Sequence, residues 1–379
     1  MKKLFRFLVL MVLIVSLAAC GSGLASSSFS TASSMPEPLN PATLTGLARG
    51  DGYPDGRRLT AVMINNNTNG RPQRGLTAAE MVVEIKVEGG ITRLMALFSD
   101  YDNIPMIGPF RSARDQFFQL ILPWQALYAH VGESTVMWQY FQDYNYHDFN
   151  LDGNYFSELW WQDYSDPNVS HGVEYVAFTD GAHIADSIET RNLDDDRTYA
   201  STVFNFVPYD TVPRTLTDGE MHSIAITHSM SYRTYFDFNT STGRYDMSMY
   251  NSGRGVNEKT IDKNNDEQVA FDNVVVLFAP MNLYPGHEAA GVMQVHYEYG
   301  GYGYYFNNGR VEIIRWMKGP PMQPLLLVNA DGTEIPVEIN PGKTYLAIVD
   351  DKEQEAFVNQ VNGVIHPPAD SSDVSGSGQ

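Results

Sequence analysis

Apolar and polar positions along this chain follow two different periods, and the change of period divides it. Residues 59–65, 81–87 and 91–98 are predicted as strands. At Glu88-Gly89-Gly90-Ile91 consecutive glycines supply the positive φ angles of a two-residue hairpin turn, which pairs Lys86 with Arg93. In that register Met81, Val83, Ile85 and Val87 share an apolar face with Leu94, Ala96 and Phe98, while Glu84, Lys86, Glu88 and Arg93 share the polar one. Ala113, Phe117, Leu120, Ile121 and Trp124 then fall at helical spacing, with Ser112 and Asp115 in the form of a capping box. Strands at 127–131 and 173–179 and helices at 134–144 and 180–191 follow. The pattern dissolves between 198 and 220. Beyond it, strands at 222–227, 232–238 and 271–278 and turns at Asn308-Gly309, Asp331-Gly332 and Pro341-Gly342 predict a β-rich meander. The expected fold class is α+β, with a mixed α/β domain over residues 57–200 followed by a β-rich domain over 220–350.

The ends carry different signals. Lys2, Lys3 and Arg6 precede an apolar run at 7–19 that stops in small residues before Cys20. The run is shorter than the roughly 20 residues of a membrane-spanning helix, and it has the form of a cleaved secretion signal. It also resembles the lipobox of bacterial lipoproteins, which implies a lipidated Cys20 as the mature N-terminus. Residues 20–41 and 367–379, rich in Ser, Gly and Pro, are expected to be a flexible tether and a flexible tail. The expected location is the extracytoplasmic face of a bacterial membrane.

Charge sharpens this picture. The 379 residues carry a formal charge of −20, a field that repels nucleic acid and excludes it as a partner. One cysteine leaves no disulfide within the chain and no multi-cysteine metal site. Yet residues 57–114 hold eight Lys and Arg against five Asp and Glu, so the basic residues are segregated.

Ala61-Val62-Met63-Ile64-Asn65-Asn66, Arg71-Pro72-Gln73, Gly75-Leu76, Glu88-Gly89-Gly90-Ile91-Thr92-Arg93 and Ile107-Gly108-Pro109-Phe110-Arg111-Ser112-Ala113-Arg114 occur in order. With Asn273-Val274-Val275-Val276, a Gly-aromatic hairpin at 301–308 and Trp316-x-Lys318, the chain resembles the YerB-like family of bacterial lipoproteins over roughly residues 59–349. The resemblance implies a two-domain architecture of uncharacterised activity. Where the family has a Pro-His-Asn step, this chain has Ser170-His171-Gly172.

Asn66, Arg71, Gln73, Glu84, Glu88, Arg93, Arg111, Ser112, Arg114 and His130 are therefore the candidate ligand-binding residues. Arg111 and Arg114 stand at a predicted helix start, where the macrodipole disfavours cations and an external phosphate or carboxylate would offset them; internal pairing to Asp115, Glu84 or Glu88 is the alternative. Glu84 and Glu88, about 13 Å apart on a strand, are too distant for a glycosidase pair, and Arg93 is expected to bridge them. Residues 115–190 hold twelve Asp and Glu, no Lys or Arg, and Trp124, Trp138, Trp160 and Trp161, a mixture that suits glycan as well as a core. Asp148-x-Asn150-x-Asp152-Gly153 copies the first half of a calcium loop, although position 12 is Leu159; Asp148, Asn150 and Asp152 are its candidate ligands, and no other cofactor is expected. Neither H-E-x-x-H nor G-x-S-x-G occurs. The expected function is binding of an anionic or glycan envelope ligand. A cell-wall hydrolase or transferase using Glu88, Arg93, Arg111 and His130, or a scaffold for another envelope protein, are the alternatives.

Overall fold

The structure, a computed structural model, describes residues 39–360 apart from Asn168. The signal segment, Cys20, nearly all of the tether and the tail lie outside the described residues. Ordered packing begins earlier than the periodicity shows. Leu44 is fully buried, and Pro41 bridges to Ala48 in a turn that precedes the first strand.

The backbone is organised by one sheet of 11 strands. Five of its strands come from the first half: β1 (Thr60–Asn65), β2 (Met81–Lys86), β3 (Thr92–Phe98), β4 (Leu127–His130) and β5 (Asn150–Asp152). They run in the order β2, β3, β1, β4, β5, and β2 continues into the second half by pairing in parallel with Thr344–Asp350. That strand pairs in parallel with Asn273–Ala279, beyond which come Gly301–Asn307, Arg310–Met317 and Leu326–Asn329. Asn273–Ala279 and Thr344–Asp350 are buried at every position, as the near-continuous apolar runs of strands covered on both faces require.

Two layers cover the sheet. On one face α1 (Asp115–Ile121) and α2 (Thr135–Asp143) set Phe117, Phe118, Met137 and Phe141 against Met63, Val83, Ile85 and Met95. On the other face a five-stranded antiparallel sheet built on Ser223–Thr227, Arg233–Asn239 and Arg244–Asn251 sets Ile224, Ile226, Phe236 and Met247 against Val62, Ile64 and Val82. Each such side chain, fully buried, contributes roughly 1.5–3 kcal/mol of hydrophobic stabilisation. The α+β class therefore holds, with the β-rich segment following the mixed one.

Three local expectations are corrected. The β2–β3 register pairs Lys86 with Thr92 and Ile85 with Arg93, so the connection is a five-residue loop through the 3-10 turn Glu88–Gly90. The two glycines do take positive φ, 63° and 73°, but the loop is longer than a two-residue turn. A one-residue slip moves a side chain to the opposite face, so Arg93 lies with Ile85 and Met63 on the helix-covered side, whereas Glu84 faces the small sheet. The second correction is at α1, whose N-cap is Arg114, with no side-chain capping bond; Ser112 does not cap it. The third is at 173–179, where a helical turn, Val173–Val176, precedes two extended residues. Asp180, in contrast, caps the helix Gly181–Arg191 through His183 N–H as its sequence implies.

Candidate functional site

Strands β1 and β4 run parallel, as do β4 and β5, so their carboxyl ends gather at one edge of the sheet. In open α/β arrangements that edge is where ligands bind. Here the motif at 107–114 is wedged between β1 and β4. Arg111 N–H donates to Met63 O at 2.9 Å, Val131 N–H to Arg111 O at 3.1 Å, and Ala113 N–H to Gly132 O at 2.9 Å. Gly108 makes the entry: at φ 152° a Cβ there would stand 2.8 Å from Ala177 O. The wedge brings Arg111 and Arg114 up to Arg93 of β3.

Arg93 and Arg114 share one carboxylate. Arg114 Nε and Nη1 donate to Glu88 Oε1 and Ala113 O, while Arg93 Nη1 donates to Ser112 O at 2.6 Å and Arg93 Nη2 stands 3.7 Å from Glu88 Oε2. Arg93 is 3% exposed, and its Nε meets no hydrogen-bond acceptor. Arg111 is half-buried, and no described residue forms an ion pair or hydrogen bond with its guanidinium. Burial, then the neighbouring charge of Arg114, pushes Arg93 well below the ordinary guanidinium range, with Arg111 adding to the effect. Burial would raise Glu88, but the charge and hydrogen bond of Arg114 outweigh it and hold the carboxyl low. Asp115, which could have neutralised the group, instead accepts from Tyr284 at 2.6 Å and Gln119 at 3.3 Å, and burial lifts it to about 6. Glu88 is thus the one carboxylate among the described residues that pairs directly with these guanidiniums, and Arg111 is left without a partner.

Beside the arginines lies a carboxyl-rich pocket. It is a cavity of about 240 Å³ with Glu133, Asp152, Asn150 and His147 as polar lining and Trp138, Phe141, Tyr155 and Phe156 as aromatic walls. Trp138 is 50% and Tyr155 70% exposed. Asp152 Oδ1 accepts from the backbone N–H groups of Gly132 and Asn154 at 3.1 and 2.9 Å. His130, fully buried, has Nδ1 at 2.9 Å from Gly132 O and Nε2 at 2.7 Å from Asn150 Oδ1. Burial lowers its pKa, against the pull of Asp152. Glu133 is raised to about 7 by burial, then by the neighbouring Asp152 carboxylate. Of the candidate calcium ligands, Asn150 and Asp152 lie in the edge strand Asn150–Asp152, and Asp148 sits in a 3-10 turn outside the cluster that Asp152 forms with His130 and Glu133.

The remaining candidates lie across the sheet. Glu84 is fully buried, its Oε1 accepting from Asn66 Nδ2 at 3.0 Å and Thr92 Oγ1 at 2.7 Å, its Oε2 from Thr234 Oγ1 at 2.7 Å and from Tyr345. His228 Nε2 stands 3.3 Å from Oε2. Burial alone would raise this carboxyl, but the charge and hydrogen bond of His228, with Tyr345 and Thr234, bring it to about 2. Asn66 Oδ1 in turn accepts from Gln73 at 3.0 Å and Arg71 at 3.2 Å. Arg93 makes no bridge to Glu84, because the slipped register puts them on opposite faces. Asn66, Arg71, Gln73 and Glu84 thus form a buried network that ties β1 and β2 to the small sheet. Glu88, Arg93, Arg111, Ser112, Arg114 and His130 line the other face, at the strand ends.

Glu133 and Tyr155 are not among the residues the sequence singles out, whereas Trp138 is one of the tryptophans it offers for a glycan. Glu133 had one usable signal, its place between the end of β4 and the helix cap Ser134, which accepts from Met137 N–H at 3.1 Å. His228, Thr234 and Tyr345 had none.

Two family models match the two halves of this chain. The description "Protein of unknown function (DUF3048) N-terminal domain" covers residues 44–194, and the C-terminal domain of the same description covers 224–346. The chain is 26% identical over 331 residues to "Putative lipoprotein YerB" of Bacillus subtilis (strain 168), spanning 85% of this chain and 90% of that protein. It is also similar to the crystal structure of the YerB protein from Bacillus subtilis, with a TM-score of 0.67 and 25% identity over 83% of this chain and 98% of that one. The chain belongs to the YerB-like two-domain family.

Proposed function

We propose that this protein is an extracytoplasmic lipoprotein, held to the membrane by lipid on Cys20, that binds an anionic glycan of the cell envelope where β1, β4 and β5 end. The anchor rests on the basic, apolar and small-residue sequence before Cys20 and on the name of the Bacillus relative. Replacing Cys20 with Ser should move the protein from the membrane to the soluble fraction, because a diacylated cysteine supplies the hydrophobic attachment. Unchanged fractionation would remove the lipid anchor from this reading.

The observation that carries the ligand reading is the arginine group: Arg93 and Arg114 share one carboxylate, Glu88, and Arg111 beside them has no ionic partner among the described residues. Guanidinium forks suit phosphate and carboxylate. Support for a sugar comes from the exposed aromatic faces of Trp138 and Tyr155 beside amide and carboxyl groups. The helix start itself contributes little, since α1 is short and its first turn holds Asp115. A hydrolase or transferase using Glu88 and His130 draws no support, because Glu88 is held by two arginines and His130 is fully buried.

Calorimetric titration with wall sugars bearing a carboxylate or phosphate, and with a neutral sugar of equal size, tests this reading. The acidic fragments should bind in a salt-dependent way and the neutral one should not. Equal heats from both would contradict it.

A further inference from the structure

We infer that His130, Glu133 and Asp152 form a binding site for a first-row divalent cation of the zinc class, opening on the aromatic-walled pocket. The inference does not depend on the arginine group, although both sites border the same pocket. It begins with hydrogen-bond chemistry at His130. Nδ1 faces Gly132 O at 2.9 Å and lies 3.7 Å from Asp152 Oδ1, while Nε2 faces Asn150 Oδ1 at 2.7 Å. A neutral imidazole here has two arrangements, Nδ1–H donating to Gly132 O or Nε2–H donating to Asn150 Oδ1, and the second leaves Nδ1 free to bind a metal. With the proton on Nε2, where Asn150 Oδ1 takes it, Nδ1 is the ligand atom, and a bound cation displaces Gly132 O from its 2.9 Å contact. The fixed amide partner on the far nitrogen is the arrangement that orients a metal-binding histidine.

The carboxylates point the same way. Glu133 Oε2 is buried without a hydrogen-bond partner, an orphan that the protein itself does not satisfy. Asp152 is 1% exposed and has one oxygen pinned by two backbone N–H groups, so its position is preset. One ligand atom from each of His130, Glu133 and Asp152 lies within 4.8 Å of the others. Zinc takes nitrogen and oxygen at about 2.0–2.2 Å, so two of its ligands stand at most ~4.4 Å apart. The 3.7 Å separation of His130 from Asp152 already fits, and only a small rotation of the half-buried Glu133 is needed. Calcium fits less well, because it takes 6–8 oxygens and no imidazole. Three protein ligands with an open side toward a cavity is the form of zinc sites that keep a position for water or substrate.

The test is zinc titration of the full chain in detergent, stripped of metal beforehand, read by calorimetry, by metal analysis after gel filtration, and by melting. One zinc per chain and a melting midpoint that rises with zinc are expected. Glu133→Gln should fold normally, because the side chain is half-buried and its carboxyl shape is kept, and should weaken zinc tenfold or more. Asn150→Ala, acting through the ring of His130, should weaken it by about 10–100-fold. An absence of zinc binding at millimolar concentration, zinc bound equally by wild type and Glu133→Gln, or a melting shift with calcium and none with zinc would each overturn the assignment.

Discussion

Replacing Glu84 with Ala is expected to destabilise the protein by about 3–5 kcal/mol, the cost of breaking a fully buried and paired charge. The substitution strands Asn66 Nδ2 and the hydroxyls of Thr92, Thr234 and Tyr345, all of which donate to this carboxylate, and leaves His228 facing a void. Against a total stability on the order of 5–15 kcal/mol, such a loss brings the chain close to unfolding. Because the network joins β1 and β2 to Thr234 of the small sheet and Tyr345 of the central one, both halves should melt together. The sign of the pH dependence follows. The Glu84 carboxyl is at about 2 when folded and near the ordinary 4.5 when unfolded, so its contribution is fully present above the unfolded value and is lost as the pH falls from there toward 2. Urea midpoints for wild type and Glu84→Ala, measured from neutral pH to pH 3, check both statements. The difference between the two should shrink with acid; a loss below about 1 kcal/mol at neutral pH would contradict the role given to this network.

The location of the strands was legible because period-2 runs bounded by glycines have few other solutions. Residues 59–65 gave β1 to within one residue, and Asn308-Gly309 closes the hairpin in which Asn307 pairs with Arg310, both turn residues at positive φ. Register was not legible at Gly89-Gly90, since two glycines serve a two-residue turn or a longer loop equally well, and one residue of slip exchanged the faces of Arg93 and Glu84. The short strand Asn150–Asp152 was hidden for another reason: at a sheet edge, three polar-flanked residues have no alternation to display, and their Asp and Asn spacing resembles a calcium loop. Charge segregation pointed to Arg93, Arg111 and Arg114 without structure. Their separation from Asn66, Arg71, Gln73 and Glu84 by the thickness of the central sheet required it. The partners of Glu84 come from Thr234, His228 and Tyr345, and no local pattern connects those positions to one another.

Ligand recognition by the arginines rests on an imbalance, three guanidiniums against Glu88, with Arg114 tied to that carboxylate and Arg93 buried. Arg111 is the member whose removal separates binding from folding. It has no ionic partner among the described residues, so Arg111→Ala should leave the urea midpoint within about 0.5 kcal/mol of wild type, as substitutions that break no buried feature do. Relieving its repulsion on Arg93 acts in the same direction, toward unchanged or slightly higher stability. A charge-assisted contact is worth roughly 1.5–3 kcal/mol, which corresponds to a loss of about tenfold to more than a hundredfold in affinity for an acidic ligand. Arg254, 75% exposed and paired with Glu258 on the small sheet, is the control for general charge. The direct measurement is the dissociation constant of a carboxylate- or phosphate-bearing wall fragment for wild type, Arg111→Ala and Arg254→Ala, with unfolding curves on the same samples. The account predicts that affinity falls at least tenfold in Arg111→Ala alone, with all three proteins equally stable; equal affinities, or a loss of stability that accounts for the loss of binding, would contradict it.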